Sequence, residues 1–217
     1  MRYIMLFSLR CHLTRFIFST FLIFNGVVSF ADELPATSFY TNFVDTHFVD
    51  QTGKPFNPAQ YFGKVTLFNF VYTKCSIVCP IQTKQLVEVY SALPEAYLDK
   101  IIFVTISLDS QFDKPNVLKK YAKKMGADFR NWLFLSGTYE DIKGLQDRLL
   151  LFGNPANPAH PKIDMTLLKT AKNEEVLKNH MTILWVVDKK GQLIQRYSAA
   201  PMDVKRLEKE LQQISDL

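Results

Sequence analysis

The segment Cys75-Ser-Ile-Val-Cys79-Pro80 carries two thiols four residues apart, between an apolar run and a helix-compatible segment. Thiolates are soft ligands that select copper(I) and also suit zinc. His180, just before a later apolar run, offers an imidazole as a third ligand. Cuprous ion accepts three ligands readily, whereas zinc normally takes four. These residue types therefore favour a copper site made by Cys75, Cys79 and His180.

The same two cysteines also have the properties of a redox pair. A cysteine at a helix N-terminus meets unpaired backbone N–H groups and the positive end of the helix dipole, which lower its pKa below about 8.5. Cys75 and Cys79 could then act as the attacking and resolving thiols of a thiol-disulfide reductase. A third alternative is an adaptor whose surface only binds a partner protein.

The first thirty-one residues have the pattern of a secretory signal peptide. They contain Arg2, Arg10 and Arg15 but no acid, followed by the apolar residues 16–30 and a small-residue step at Ala31. The apolar run is shorter than the roughly 20 residues that span a bilayer, although an uncleaved membrane anchor is an alternative. We expect a periplasmic protein, soluble or anchored to the inner membrane through residues 1–31, with one domain over residues 32–217.

Charge and cysteine content exclude two classes of protein. Without residues 1–31 the chain keeps 23 of its 26 Lys and Arg against 21 acids, a net charge of +2, and it has no basic block. This gives no electrostatic case for nucleic acid binding. Cys11 is lost with the leader, and the remaining pair, Cys75 and Cys79, is too close in sequence for a disulfide-stabilised scaffold.

The elements that must position these side chains alternate between strand and helix patterns. Strands are predicted at residues 65–72, 101–107, 183–187 and 192–197, and helices at residues 80–93, 116–125, 138–151 and 204–214. The order strand, cysteine loop, helix, strand, then a terminal hairpin and helix predicts an α/β thioredoxin-like sheet with flanking helices. We expect an N-terminal hairpin extension around residues 43–56 and an insertion at residues 153–179, before the last hairpin.

The residues before the last hairpin separate the copper and reductase hypotheses. Thioredoxin-like redox enzymes place a cis-proline there, opposite the cysteine loop, and it shapes the groove that receives a substrate disulfide. This chain has Asn179-His180-Met181-Thr182 and no proline. An imidazole at that position serves as a ligand or a base, so metal binding is favoured over disulfide exchange.

The motifs together resemble the Sco/SenC family of copper proteins over residues 43–211. They are Phe70-Val-Tyr-Thr-Lys-Cys75-Ser-Ile-Val-Cys79-Pro80, then Thr105-Ile-Ser-Leu-Asp109 with Asp113 and Pro115, and finally His180 before a strand. The resemblance implies a metallochaperone that binds a copper ion through Cys75, Cys79 and His180. It also implies that the partner is the copper-bearing subunit of cytochrome c oxidase, or another copper or thiol protein. The family commonly has proline where this chain has Ser76.

Several other side chains are weaker candidates. Asp109 and Asp113 match an acidic stretch of the family and could face the copper loop, although Asp113 could instead cap the helix that begins at Pro115. His160 is a candidate auxiliary ligand or a solvated loop residue. Thioether sulfurs are a further possibility, although methionine usually fills cores; these residues are Met165, Met181 and Met202.

Overall fold

The fold is built on a five-stranded mixed sheet, seen in a computed structural model that describes residues 35–127, 130–149, 183–199 and 201–217. The strand order is β3-β2-β1-β4-β5. The strands are β1 (Val65–Val71), β2 (Ile101–Ser107), β3 (Trp132–Leu135), β4 (Ile183–Val187) and β5 (Leu193–Ser198). The mixed α/β architecture agrees with the predicted thioredoxin-like sheet, and all seven residues of β1 and of β2 are buried, as central strands require.

Strand direction brings several chain ends to one edge of the sheet. β1 and β2 are parallel, as are β2 and β3, so their carboxyl ends lie together. β4 runs antiparallel to β1, with Phe68 opposite Trp185. Because of this reversal, β4 begins at the edge where β1 ends. The cysteine loop leaves β1 at that same edge.

Five α-helices lie in the described residues. They are α1 (Val78–Ala92), α2 (Glu95–Leu98), α3 (Pro115–Met125), α4 (Tyr139–Leu149) and α5 (Val204–Asp216). The predicted end signals act as expected: Pro115 is the first residue of α3, and Gly126 ends it in the left-handed conformation that glycine adopts without strain. Thr138 and Asp141 exchange backbone and side-chain hydrogen bonds at the start of α4, which is the predicted acidic capping box.

Alternate residues of the strands face two separate cores. On one face, Val65 and Leu67 of β1 pack with residues of α1, α3 and α5. On the other, Phe68 and Phe70 pack with the N-terminal segment and α4. The strands are apolar on both sides because helices or loops cover both faces.

The N-terminal extension contains the predicted hairpin in a short form, in which the Asp50 N–H donates to the Lys54 carbonyl and the Phe56 N–H donates to the Phe48 carbonyl. It consists of two 3-10 helices, Phe39–Phe43 and Pro58–Tyr61, and a single antiparallel bridge between Val49 and Pro55. Val49 and Pro55 form the non-hydrogen-bonded pair between these two bonds, so the missing N–H group of Pro55 does not interrupt the hairpin. Val49 also pairs with Ser136, just after β3, and so attaches the extension to the edge of the sheet.

Two elements were not predicted, and two predictions cannot be compared with the structure. The short strand β3 and the one-turn helix α2 had no recognised pattern. The predicted leader at residues 1–31 and the insertion at residues 153–179 lie outside the described residues. Among the residues that are described, no helix is both long enough and apolar enough to cross a membrane.

Candidate metal and thiol site

The cysteine loop connects β1 to α1 and holds both thiols out of solvent. The Cys75 N–H donates to the Tyr72 carbonyl at 3.1 Å, which closes a tight turn directly after β1. α1 begins at Val78, so Cys79 lies in the first helical turn and Cys75 precedes it. The sequence had predicted a helix beginning near Pro80; the structure extends it by two residues. Both cysteines are buried and carry free thiols.

The Cys75 sulfur takes the place of a helix-capping side chain. Ile77, the residue before the helix, provides no side-chain cap. Instead, the Cys79 N–H donates to Cys75 Sγ at 3.4 Å. Unpaired N–H groups at a helix start attract negative charge, so this position stabilises a thiolate.

The two thiols have opposite pKa shifts because they share a proton. A hydrogen bond from the Cys79 side chain, helped by the backbone N–H groups of Cys79, Ile77 and Val78, lowers the pKa of Cys75 from 9.0 to about 5. The same hydrogen bond, together with burial, raises the pKa of Cys79. At neutral pH the pair is therefore a Cys75 thiolate that accepts a hydrogen bond from a Cys79 thiol.

Asp113 connects this loop to the end of β2. Its carboxylate is fully buried and accepts hydrogen bonds from the Thr73 N–H at 2.9 Å, from the Thr73 hydroxyl, and from the Ser107 hydroxyl at 2.6 Å. α3 instead has Lys114 at its cap position and no side-chain cap. The alternative that Asp113 caps α3 is therefore wrong, and the expectation that it faces the cysteine loop is confirmed at Thr73, two residues before Cys75.

Two polar side chains of α1 lie next to Cys79 on the buried face. Thr83 donates to the Cys79 carbonyl at 2.8 Å and exchanges a hydrogen bond with the Tyr121 hydroxyl of α3 at 2.9 Å. Gln82 is 1% exposed, yet within the described residues neither its amide oxygen nor its amide nitrogen has a hydrogen-bond partner. A buried amide without partners usually costs about 1–3 kcal/mol, so Gln82 is, as far as the described residues show, an unsatisfied group one turn after Cys79 in α1.

The remaining predicted candidates fall into two groups. Asp109 accepts hydrogen bonds from the Gln111 and Phe112 N–H groups and shapes a local turn. Met202 is buried in the hydrophobic core with residues of α1, α3 and α5, where it fills space between apolar side chains. The others lie outside the described residues; they are His160, Met165, His180 and Met181.

The described residues alone do not supply a complete metal site. In those parts of the chain, no three His, Cys, Asp or Glu side chains group closely enough to hold an ion. His47, the histidine that the structure describes, is 82% exposed on its side chain and lies 3.5 Å from Asp141.

The sequence profile of the SCO1/SenC family matches residues 35–215, nearly all of the chain beyond the predicted leader. The chain belongs to the SCO1/SenC family. The resemblance seen in the motifs is thus confirmed over the whole domain. The profile match includes the cysteine loop, both acidic positions and the segment before β4.

Individual SCO1/SenC proteins show the same relationship. A SCO2-like protein of Rickettsia felis is 32% identical over 108 residues, 50% of this chain and 51% of that protein. Yeast Sco1 with copper bound superposes with a TM-score of 0.57 at 20% identity, covering 77% of this chain and 88% of that one. BsSco is a member of the Sco family of cytochrome c oxidase assembly proteins and has a disulfide switch. It superposes with a TM-score of 0.59 at 22% identity, covering 78% of this chain and 91% of that one. The chain spans about half to two thirds of the curated relatives it matches.

Sequence reasoning did not identify three residues that shape this site. Thr73 and Ser107 bind Asp113, and Tyr121 supports Thr83 from α3. Thr73 lies within the quoted cysteine motif, which is a usable signal. Ser107 likewise lies within the quoted motif of residues 105–109, six positions before Asp113. Tyr121 is brought to Thr83 only by packing between α1 and α3.

Proposed function

We propose that this protein is a copper metallochaperone that holds copper(I) through Cys75, Cys79 and His180 and passes it to a copper-bearing subunit of a respiratory oxidase. The observation that carries the proposal is the pair of buried free thiols, one of them stabilised as a thiolate at the start of α1. Soft thiolates in a buried site favour a soft monovalent ion. Relatives support the cargo and the acceptor, because yeast Sco1 binds copper and BsSco belongs to a family of oxidase assembly proteins.

Strand topology supports His180 as the third ligand. Phe68 lies opposite Trp185, and continuing that antiparallel register brings Ile183 level with Phe70, at the end of β1 that leads to the cysteine loop. His180 precedes Ile183 by three residues. Three residues of extended chain span at most about 11 Å. This short separation along the chain from Ile183 supports the proposal that His180 is the third ligand.

Copper transfer follows from the state of the two thiols. Cys75 offers a thiolate to the incoming ion, and Cys79 must release its proton before it can act as the second ligand. In the reverse direction, a thiolate of the acceptor replaces the protein sulfurs one at a time by ligand exchange. The ion therefore moves between partners without being released into water.

X-ray absorption on the copper(I)-loaded protein tests the ligand set. We expect two sulfurs and one nitrogen around copper in the wild-type protein, one sulfur fewer in Cys75→Ser or Cys79→Ser, and no nitrogen in His180→Ala. His47→Ala is the matched control, because His47 is exposed and paired with Asp141. Unchanged copper affinity and an unchanged nitrogen signal in His180→Ala would remove His180 from the site.

A thiol-disulfide reductase is the second candidate, favoured by the thiolate and thiol in hydrogen-bond contact. The Cys75 thiolate would attack a substrate disulfide and form a mixed disulfide, and Cys79 would then displace the second substrate thiol. The protein would finish with a Cys75–Cys79 disulfide, having given two electrons to its substrate. Full single-turnover reduction by His180→Ala, with none by either cysteine variant, would support this function over copper transfer.

We also propose that residues 1–31 direct the domain to the periplasm, where it stays soluble or anchored to the inner membrane. The support is the pattern of Arg2, Arg10 and Arg15 before an apolar run. Cell fractionation followed by N-terminal sequencing tests this proposal. Recovery of the full-length chain in the cytoplasmic fraction would overturn it.

A further inference from the structure

Three exposed apolar side chains lie on the cysteine loop, at the start of α1 and on the neighbouring loop after β2. Ile77 is 59% exposed and Ile81 is 54% exposed, and both lie at the start of α1. Phe112, 45% exposed, lies on the loop between β2 and α3. Large apolar side chains grouped around a reactive site mark a binding surface more strongly than single ones scattered over a protein.

Contacts between the two loops hold these side chains on one surface. The Lys74 ammonium lies 4.1 Å from the centre of the Phe112 ring, and Thr73 is bonded to Asp113. Ile77 and Ile81 are four residues apart at the beginning of α1, so they follow one another along one side of the helix. Lys84 is one turn further on and is exposed.

The same surface carries exposed lysines without ion-pair partners in the described residues. Exposed lysines lie on both loops and on α1; they are Lys74, Lys84 and Lys114. In the described parts of the chain, none of the three belongs to an ion pair. The neighbouring acids are Asp109, which is bonded to backbone N–H groups, the buried Asp113, and the exposed Glu88 one turn beyond Lys84. Among the described residues, none of these acids forms an ion pair with the three lysines.

We propose that this surface, the collar (Ile77, Ile81 and Phe112 with Lys74, Lys84 and Lys114), docks an acidic segment of the acceptor protein that carries apolar residues beside its thiols. The identity of the partner as a copper acceptor rests on the proposed function. The chemistry of the docking segment rests on the collar itself, since its exposed apolar side chains complement apolar groups and its exposed lysines complement acidic groups. Docking there brings the acceptor thiol to Cys75.

The two parts of the collar have different physical effects. Apolar contacts at the centre of an interface supply most of its affinity, and charges at the rim raise the association rate and make it depend on salt. Lys84 lies at the rim and the isoleucines lie nearer the thiols. A change at Lys84 should therefore alter the association rate and its salt dependence, whereas a change at Ile81 should alter the affinity.

The test uses the full chain, reduced and free of metal, and three synthetic peptides. Each peptide has the same apolar core with one cysteine, linked as a disulfide to thionitrobenzoate and flanked by Glu, Gln or Lys. The Cys75 thiolate attacks the peptide sulfur, the mixed disulfide forms, and thionitrobenzoate leaves with the bonding electron pair. Its release gives the second-order rate constant, which is normalised to reaction of each peptide with a neutral small thiol.

We expect the Glu peptide to react about tenfold faster than the Lys peptide at low ionic strength, with a preference that shrinks as salt is added. Lys84→Glu should reduce this preference by about threefold or more. Lys190→Glu, which makes the same charge change in the turn at the opposite end of the sheet, should leave it unchanged. Ile81→Ser should slow all three peptides alike, and the matched surface variant Ile194→Ser should not.

Three results would overturn the proposal. One is equal normalised rates for the Glu and Lys peptides with the wild-type protein. Another is an equal effect of Lys84→Glu and Lys190→Glu, which would show a general field rather than a docking surface. The third is a concentration-dependent dimer in sedimentation that Ile81→Ser dissociates, because the collar would then be covered by a second copy.

Copper binding is measured on the same samples so that the two proposals can fail separately. Peptide selectivity in a protein that does not hold copper(I) against a competing chelator would refute the metallochaperone and leave the docking surface. Copper binding without peptide selectivity would refute the docking surface alone.

Discussion

Replacing Asp113 tests whether its buried carboxylate holds the cysteine loop in place. The carboxylate accepts three hydrogen bonds, two from Thr73 and one from Ser107. Asp113→Ala removes all three acceptor contacts. Asp113→Asn keeps the shape and an oxygen that accepts two of them, and the Thr73 hydroxyl can rotate to accept from the new amide.

The expected loss of stability follows from the burial of each donor. A hydrogen bond to a charged group contributes about 1.5–3 kcal/mol, and a buried donor left unpaired costs about 1–3 kcal/mol. Thr73 is half-buried, so water can replace part of its loss, whereas Ser107 is buried and stays unpaired. We therefore expect Asp113→Ala to lower the free energy of unfolding by about 2–4 kcal/mol, and Asp113→Asn by less than about 1 kcal/mol.

The charge also gives a pH signature with a definite sign. Burial, the largest cause, raises the pKa of Asp113 above 3.8, against the opposing hydrogen bonds from Ser107 and Thr73. At pH values between 3.8 and the raised pKa, Asp113 binds more protons in the folded protein than in the unfolded chain. The free energy of unfolding of the wild-type protein relative to Asp113→Asn should therefore fall as pH rises through this window and become level above it.

Urea unfolding at several pH values measures both effects, and a double-mutant cycle with Thr73→Val isolates the contact. We expect the losses of stability caused by Asp113→Ala and by Thr73→Val to differ in sum from the loss in the double variant by at least about 0.5 kcal/mol, because the two residues are in contact. Copper(I) affinity of Asp113→Ala should fall by about tenfold, the effect of losing an outer-shell contact. The reasoning is refuted if Asp113→Ala and Asp113→Asn are equally stable, or if the cycle is additive.

Further predictions concern the thiols and the unsatisfied amide. Ultraviolet titration of thiolate absorbance should show Cys75 ionising near pH 5. Cys79→Ala removes the hydrogen-bond donor and should raise the midpoint of this titration. Cys79→Ser keeps a hydroxyl donor and should raise the midpoint less. Equal midpoints in the two variants would contradict the shared proton. Copper(I) binding at pH 7 to His180→Ala should release close to one proton, which comes from Cys79, because Cys75 is already ionised. Two thiols with ordinary pKa values would release close to two protons. An indicator dye in weak buffer measures the number of protons released. Gln82→Met should raise the free energy of unfolding by about 1 kcal/mol in thermal or urea unfolding, and a loss of stability would show that the amide has a partner beyond the described residues.

Local sequence patterns were sufficient for most elements because their signals lie within a few residues. The strands at 101–107 and 183–187 have the predicted bounds, and the α3 helix begins at Pro115 and ends before Gly126 as its end signals indicate. The short strand β3 was missed because four apolar residues, Trp132–Leu135, have no periodicity of their own. They become a strand only by pairing with β2.

The two cysteines and their chemistry were evident from the sequence because a close pair of thiols before a helix is a local feature. Their different states were not evident, since the protonation of Cys75 and Cys79 depends on the contact between the two sulfurs and on where α1 begins. The role of Asp113 was open for the same reason. Only the fold shows that its carboxylate points to Thr73, forty positions earlier in the chain.

Taken by itself, the sequence determined the family, the alternation of strands and helices, and the residue types that can bind copper. These depend on composition and on short spacings. Tertiary structure decided which buried groups satisfy one another, because hydrogen bonds such as Asp113 to Thr73 and Thr83 to Tyr121 join residues that only packing brings together. It also decided which apolar and basic side chains stay exposed around the thiols, because exposure depends on everything that packs nearby.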